Sequence, residues 1–423
     1  MEKINTKYLV LGAGVSGLTF ANFLDSNDYI VVEKDSRPGG YCKTTIKGDY
    51  VWDYAGHFFH FKTDEMKSLF EEKMKDEKLV KQDKNTKIYY KNSLINYPFQ
   101  TNIHQLPKDE FIDCLYDLFN KEEKEDYDNF LDMLYGKFGK SIVEKFLKPY
   151  NEKLYACNLN KLDKDAMGRF FPYADLKQII NNMKANENNS YNNQFLYPRK
   201  GAGAFMDKLY ESLDTNKVKL NTCVTKIDVD KKEAYLDNGN VICYEYLINT
   251  SPLNQFLQLS GKQEDKELLE KLSYNKVLVF NLGFEKKSDF DEHWIYLPEK
   301  EYNYYRIGFY NNILNDEKLS MYIEIGFSKN DEIDVDKELK ETLINLEKNG
   351  ITRDNKLVDY ETIIMDPAYV HIEKETSAEI SKYMEKINNM NIYSIGRYGA
   401  WTYCSMEDAM ISAKELANKL ERE

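Results

Sequence analysis

Residues 7–12, KYLVLG, end a short apolar run in the turn Gly12-Ala13-Gly14-Val15-Ser16-Gly17. LTFANFL comes next with apolar residues at helical spacing, and YIVVEKD then supplies a second buried strand ending at Glu33. Strand, glycine turn, helix and strand in that order predict a βαβ unit, and with it a parallel sheet. The glycines permit a tight turn and let main chain approach a pyrophosphate at the helix N-terminus, while an acid about 20 residues on holds a ribose. Gly12, Gly14 and Gly17 stand in that context, and Glu33 lies 21 residues after Gly12. The opening of the chain therefore predicts a dinucleotide site.

The rest of the chain must complete that sheet and add to it. With 423 residues, 42% of them hydrophobic, two or three packed domains are expected. A helical stretch runs from about Leu106 to Tyr155; in PKDEFIDCLYDLF, Phe111, Ile112, Leu115, Leu118 and Phe119 fall on one face. Short strands return over 218–250, with a turn at Asp237-Asn238-Gly239, and VLVFNLGF, HWIYLP, YYRIGFY and MYIEIGF predict an antiparallel sheet. IYSIGRYG reads as a strand and glycine turn, and Ser405-Met406-Glu407-Asp408 as a capping box opening a last helix. The expected fold class is α/β: an FAD-binding Rossmann-like (two-dinucleotide-binding) domain, an inserted helical domain and an antiparallel sheet domain. The expected boundaries are 1–95, 197–275 and 388–423 for the discontinuous first domain, 96–196 for the helical one and 276–387 for the sheet.

A formal charge of −13 argues against nucleic acid or anionic membrane as a broad partner. No apolar run approaches the roughly 20 residues of a spanning helix, so no membrane insertion is expected. MEKINTKYLVLG carries no signal-peptide pattern, and the six scattered cysteines show no CxxC. A cytoplasmic location is the expectation, with self-association into a homo-oligomer left open.

The residues after Glu33 indicate the kind of dinucleotide. Lys34-Asp35-Ser36-Arg37-Pro38-Gly39-Gly40 is a second glycine turn with a basic residue, and it resembles the continuation found in flavoproteins such as the amine oxidases and protoporphyrinogen oxidase. That resemblance implies FAD rather than exchangeable NAD. Five further segments occur in order: DYAGHFFHF (Asp53 to Phe61), YPFQTNI (Tyr97 to Ile103), KPYNEKLYA (Lys148 to Ala156), WIYLPEKEYNYYR (Trp294 to Arg306) and GRYGAWTY (Gly396 to Tyr403). Together they resemble the UDP-galactopyranose mutase family, closer to its eukaryotic-type branch.

The resemblance implies an isomerase that interconverts pyranose and furanose forms of a UDP-sugar, for surface glycan biosynthesis. FAD would act in its reduced form, N5 being the nucleophile at the anomeric carbon, with NADH or NADPH as reductant. It assigns Arg169 and Arg306 to the diphosphate, a task suited to guanidinium donors. Tyr97, Phe99 and Gln100 match the segment that holds uracil. Asn151 and Asn192 match sugar or phosphate contacts, Trp294 a pocket wall, and Tyr296, Tyr369 and Tyr403 positions near the diphosphate and sugar. Arg397 is expected at the polar edge of the isoalloxazine, Val224 against adenine, and Gly203 in a turn lining the flavin. The residues after Arg306, IGFYNNI, depart from the family register, so a substrate tyrosine there is lost or shifted to Tyr310.

His57 and His60 stand three apart in DYAGHFFHF. No third and fourth ligands at suitable spacing accompany them, so no metal is expected. The resemblance instead implies a loop lying against the flavin, with Gly56 close to N5, His57 packed beside the ring and His60 structural. Two rival functions share the FAD framework: an amine-oxidase- or protoporphyrinogen-oxidase-like oxidoreductase, and a flavin-binding protein without catalysis.

Overall fold

A computed structural model describes residues 2–184 and 194–422. The strand Lys3–Leu11 lies between two parallel neighbours, Val241–Asn249 and Tyr29–Val32. In this register Leu11 is the partner of both Asn249 and Val32, so three strands end together at the first glycine turn. That is where ligands settle on open parallel sheets. The sheet continues through Val218–Lys219 on one side and through Glu233–Leu236 and Val224–Asp228 on the other, while Ile392–Ser394 also pairs with Val241–Asn249. Helix Val15–Asn22 buries Ser16 to Ala21 against this sheet and packs beside the last helix, Met406–Leu420. Ser405 and Asp408 form the expected capping box at the start of that last helix.

A second sheet has the strand order Leu357–Met365, Asn275–Phe284, Ser320–Ser328, Arg306–Phe309, Trp294–Tyr296, Thr86–Tyr90, Ser93–Asn96. It differs from the expectation in two respects. Trp294–Tyr296 pairs with Thr86–Tyr90 in parallel, and the hairpin over 86–96 belongs to this sheet rather than extending the dinucleotide unit. Side chains alternate between its faces, as a pleated strand requires. Tyr322, Val279 and Trp294 point toward the core shared with the first sheet, and Ile323, Leu278 and Ile295 toward an outer core under helix Val335–Lys348.

The helical stretch contains Lys108–Phe119, Phe130–Ile142 and Lys148–Tyr155. The buried face of the first is narrower than its apolar pattern suggests. Cys114 and Leu118 are buried, but Ile112 and Phe119 are exposed. No helix among the described residues is long and apolar enough to cross a membrane. All six cysteines are free.

Candidate active site

One cavity of about 840 Å3 runs from the ends of the parallel strands to the inner face of the second sheet. Its first end is built of main chain. Gly12 has φ +99°, and a Cβ there would lie 2.7 Å from Thr250 Oγ1; a Cβ on Gly17 would lie only 2.0 Å from the Gly12 carbonyl oxygen. The second glycine turn is stitched to the first, since Gly39 N donates to Ala13 O at 2.8 Å. A Cβ on Gly40 would approach the Gly14 Cα to 3.4 Å. Glu33 ends its strand with both carboxylate oxygens engaged, accepting from Ala13 N at 2.8 Å and Asp35 N at 2.9 Å. Gly12, Gly14, Glu33, Gly39, Gly40 and Val224 all line the cavity.

Three residues expected at this end lie behind its wall. Gly17 serves the close packing just described. Arg37 is exposed and donates to Thr44 O, while the hydroxyl of Thr44 accepts from Gly203 N at 2.8 Å. Arg37 and Gly203 therefore brace the turn from outside.

At mid-cavity stands Asp53 to Phe61. Gly56 leaves no room for a side chain, because a Cβ would meet Tyr322 Oη at 2.5 Å. His57 and His60 both line the cavity, with their Nδ1 atoms 3.2 Å from Ala55 O and 3.0 Å from Gln194 O. A carbonyl can only accept, so each ring carries its proton on Nδ1. Burial lowers both pKa values to about 4, leaving two neutral rings rather than a cationic pair. Facing them, Arg397 lies with its guanidinium carbon 4.5 Å from the centroid of Tyr403 and 5.1 Å from that of Tyr369. Its Nη1 donates to Cys404 O at 3.3 Å, but its buried Nε has no partner among the described residues. A glycine cradle at one end and an orphaned guanidinium donor at mid-cavity fit an elongated dinucleotide with a polar-edged ring.

The far end is built of side chains on the second sheet. The register places Tyr296 beside Arg306 and Arg306 beside Glu324 across three strands, with Trp294, Gly308 and Tyr322 forming the next row. Arg306 donates from Nε and Nη2 to Glu324, at 2.9 Å and 2.6 Å, and Nη2 also lies 3.5 Å from Tyr369 Oη. Tyr97 packs 5.0 Å from Tyr296, and Trp294 donates from Nε1 to Tyr296 Oη at 3.0 Å. Arg169 comes from the short turn Gly168–Phe170, outside the sheet, one third exposed and ion-paired with Asp408. Burial disfavours the charge on Asp408, yet the hydrogen bonds from Arg169 and Ser405 outweigh it and hold its pKa below the usual carboxylate range.

Of the residues expected here, Tyr97, Arg169, Trp294, Tyr296, Arg306, Tyr369 and Tyr403 line the cavity together. Three do not. Phe99 is fully buried and stacked on Phe146 at 5.1 Å. Gln100 donates to Pro172 O, and its Oε1 has no partner among the described residues. Asn151 donates to Leu147 O at 2.6 Å, close to its own helix. Asn192 lies outside the described residues. Tyr310 is not the shifted tyrosine either: it is fully buried, its hydroxyl 3.2 Å from Asp53 N and 3.3 Å from Asp53 O. The ring that faces the cavity is Tyr322, one strand further on.

Sequence reasoning missed Tyr322, Glu324, Phe58, Lys84 and Asp408. Phe58 stacks on Trp294 at 5.2 Å, and Lys84 sits 5.3 Å from the Tyr97 ring centroid, its pKa lowered by burial to about 8. One signal was available for Glu324: it is the lone charge in the apolar strand MYIEIGF, and a charge buried in a sheet needs a partner.

Comparison with known proteins places this geometry. A family model described as flavin containing amine oxidoreductase matches residues 15–348. A curated relative, a protoporphyrinogen oxidase from Dictyostelium discoideum, is 27% identical over 162 residues, which are 36% of this chain and 29% of that protein. The match thus spans less than a third of that relative's length. Among solved structures, reduced UDP-galactopyranose mutase superposes with a TM-score of 0.92 at 23% identity, covering 98% of this chain and 93% of the other. Putrescine oxidase bound to putrescine reaches 0.69 at 12% identity over 100% of both chains. At such identities these likenesses establish the fold.

Proposed function

The chain belongs to the flavin containing amine oxidoreductase family and takes FAD as its cofactor, and from that premise we propose that it is a flavin-dependent mutase interconverting pyranose and furanose forms of a UDP-sugar. The carrying observation is the composition of the cavity beyond the dinucleotide end. Arg306, Arg169 and the hydroxyls of Tyr97, Tyr296, Tyr369 and Tyr403 line a space continuous with the glycine cradle. Guanidinium and phenol groups suit a diphosphate and a sugar. A large flat apolar substrate of an oxidase would want apolar walls instead.

When bound, FAD in its reduced form would supply the nucleophile for the anomeric carbon. The protein's part is to bind, orient and enclose. Tyr97 offers a ring face to the base, Arg306 and Arg169 take the diphosphate, and Tyr296, Tyr369 and Tyr403 bring hydroxyls toward the diphosphate and sugar. Holding the departing diphosphate beside an opened sugar favours reclosure over loss, because the next step stays intramolecular. NADH or NADPH is the proposed reductant, and the cytoplasm the proposed location, with the furanose product destined for surface glycans.

The test is to incubate dithionite-reduced protein with UDP-galactopyranose and a panel of related nucleotide sugars, separating products by chromatography. Furanose product from the reduced protein and none from the oxidised protein is the expected result. Absence of isomerised product across the panel, with oxygen-dependent turnover of an amine or a tetrapyrrole, would place the protein among the oxidases instead.

A further inference from the structure

The cavity carries a buried carboxylate that the proposed mechanism does not use. We propose that Glu324 is the positioning residue of the phosphate end, turning Arg306 so that only its Nη1 edge is offered to a nucleoside diphosphate. This inference rests on the mutase reading of the site. Glu324 is 1% exposed on the strand Ser320–Ser328, with Arg306 as its cross-strand partner. Its Oε1 accepts from Arg306 Nε at 2.9 Å and Nη2 at 2.6 Å; its Oε2 accepts from Nη2 at 2.6 Å and from Tyr305 Oη at 2.6 Å. The main chain joins in, with Tyr305 N donating to Glu324 O at 3.0 Å.

Both oxygens of Glu324 are thus occupied by Arg306 and Tyr305, so the carboxylate is turned to its neighbours on the sheet and its part is to position. Arg306, for its part, has Nε and Nη2 committed to protein, and the N–H pair of Nη1 is what remains for ligand. A guanidinium fixed in this way loses little side-chain entropy when an anion arrives, and its charge is already balanced by Glu324. Its contribution is therefore directional hydrogen bonding more than net attraction.

The experiment measures affinity for UDP and for uridine by fluorescence titration of the FAD-loaded protein, comparing wild type with Glu324→Gln. The neutral amide keeps one acceptor oxygen where the carboxylate has two and carries no charge, so it holds the guanidinium by fewer and weaker hydrogen bonds. Affinity for UDP should fall roughly tenfold or more, the worth of one charge-assisted hydrogen bond, while affinity for uridine, which has no phosphate, stays unchanged. If Glu324→Gln fails to retain FAD, Glu324→Asp carries the test: its carboxylate is a methylene short of holding both guanidinium nitrogens, and the same UDP-selective loss is expected. An equal loss of UDP and uridine affinity would make Glu324 merely structural, and no loss of either would leave Arg306 positioned without it; both overturn the proposal. A wild type that does not prefer UDP over uridine would instead overturn the reading of this end as a phosphate site.

Discussion

The two ends of the cavity are built from different materials. The dinucleotide end is main chain: two glycine turns joined by the Gly39–Ala13 hydrogen bond, with Glu33 holding the first turn by its Ala13 N–H. The far end is side chain, a row of Tyr296, Arg306 and Glu324 that exists only because three strands pair in one register. A site of the first kind depends on a few residues close in sequence. A site of the second kind depends on the whole sheet. The contrast predicts that damage to the first end removes the cofactor and everything after it, whereas damage to the second spares the cofactor and removes the substrate.

The sharpest way to break this contrast is at Gly17. A Cβ there would stand 2.0 Å from the Gly12 carbonyl, so Gly17→Val must displace either the turn or the helix behind it. FAD stoichiometry of the purified protein, read from its visible spectrum, should fall roughly tenfold or more. A variant that kept its FAD would show that the turn yields more easily than its close packing implies.

The same contrast explains what could be read in the chain itself. Gly12, Gly14, Gly17 and Glu33 were legible because the demand on each is local: a positive φ, a close approach, a strand end. The capping box at Ser405 was legible for the same reason. Tyr322 and Glu324 were not, since nothing local in MYIEIGF tells which of its residues will face Arg306 until the register of Arg306–Phe309 against Ser320–Ser328 is known. Tyr310 is nearer to Arg306 in sequence, but it opens a short buried helix, Tyr310–Leu314, instead of continuing the strand. Phe99, Gln100 and Asn151 show the opposite error. The first segment lines the cavity through Tyr97 and the second supplies no lining residue, while the side chains of Phe99, Gln100 and Asn151 are spent on the helical core.

The two arginines differ in the same sense, and exchanging each for lysine measures by how much. Arg306→Lys keeps the charge but cannot both hold Glu324 and present a second edge. We expect full FAD occupancy with kcat/KM lower by about 100-fold, the order of losing two charge-assisted hydrogen bonds. Arg169 is one third exposed and paired with Asp408 through Nη2, so its hold on a diphosphate competes with water and with that carboxylate. Arg169→Lys should therefore cost less, about tenfold, and that loss should shrink further as salt weakens the bridge. Equal effects at both positions would mean that burial of Arg306 by the sheet confers no advantage.

The smallest expected effects belong to the histidines between the two ends. His57 and His60 are neutral, and burial also lowers His293 and His371 to about 4. A base whose folded pKa is depressed binds fewer protons than it does unfolded between about 4 and the ordinary value of 6.5. Stability must then fall as pH drops through that window and be fully present above it. Asp53, whose carboxyl burial raises to about 7, acts in the opposite sense, gaining stability as pH falls through 7; burial raises Asp207, Glu292, Glu299 and Glu373 by less, so the four histidines set the balance. Urea midpoints should accordingly be lower at pH 5 than at pH 7.5, and His57→Ala or His60→Ala should each reduce that difference. Only His57→Ala should also shift the flavin midpoint potential and turnover, because His57 follows Gly56, whose Cα abuts Tyr322 in the cavity wall, whereas His60 is turned to Gln194 and Phe195. Equal and negligible shifts from both exchanges would detach the Asp53–Phe61 loop from the flavin and leave it as part of the wall alone.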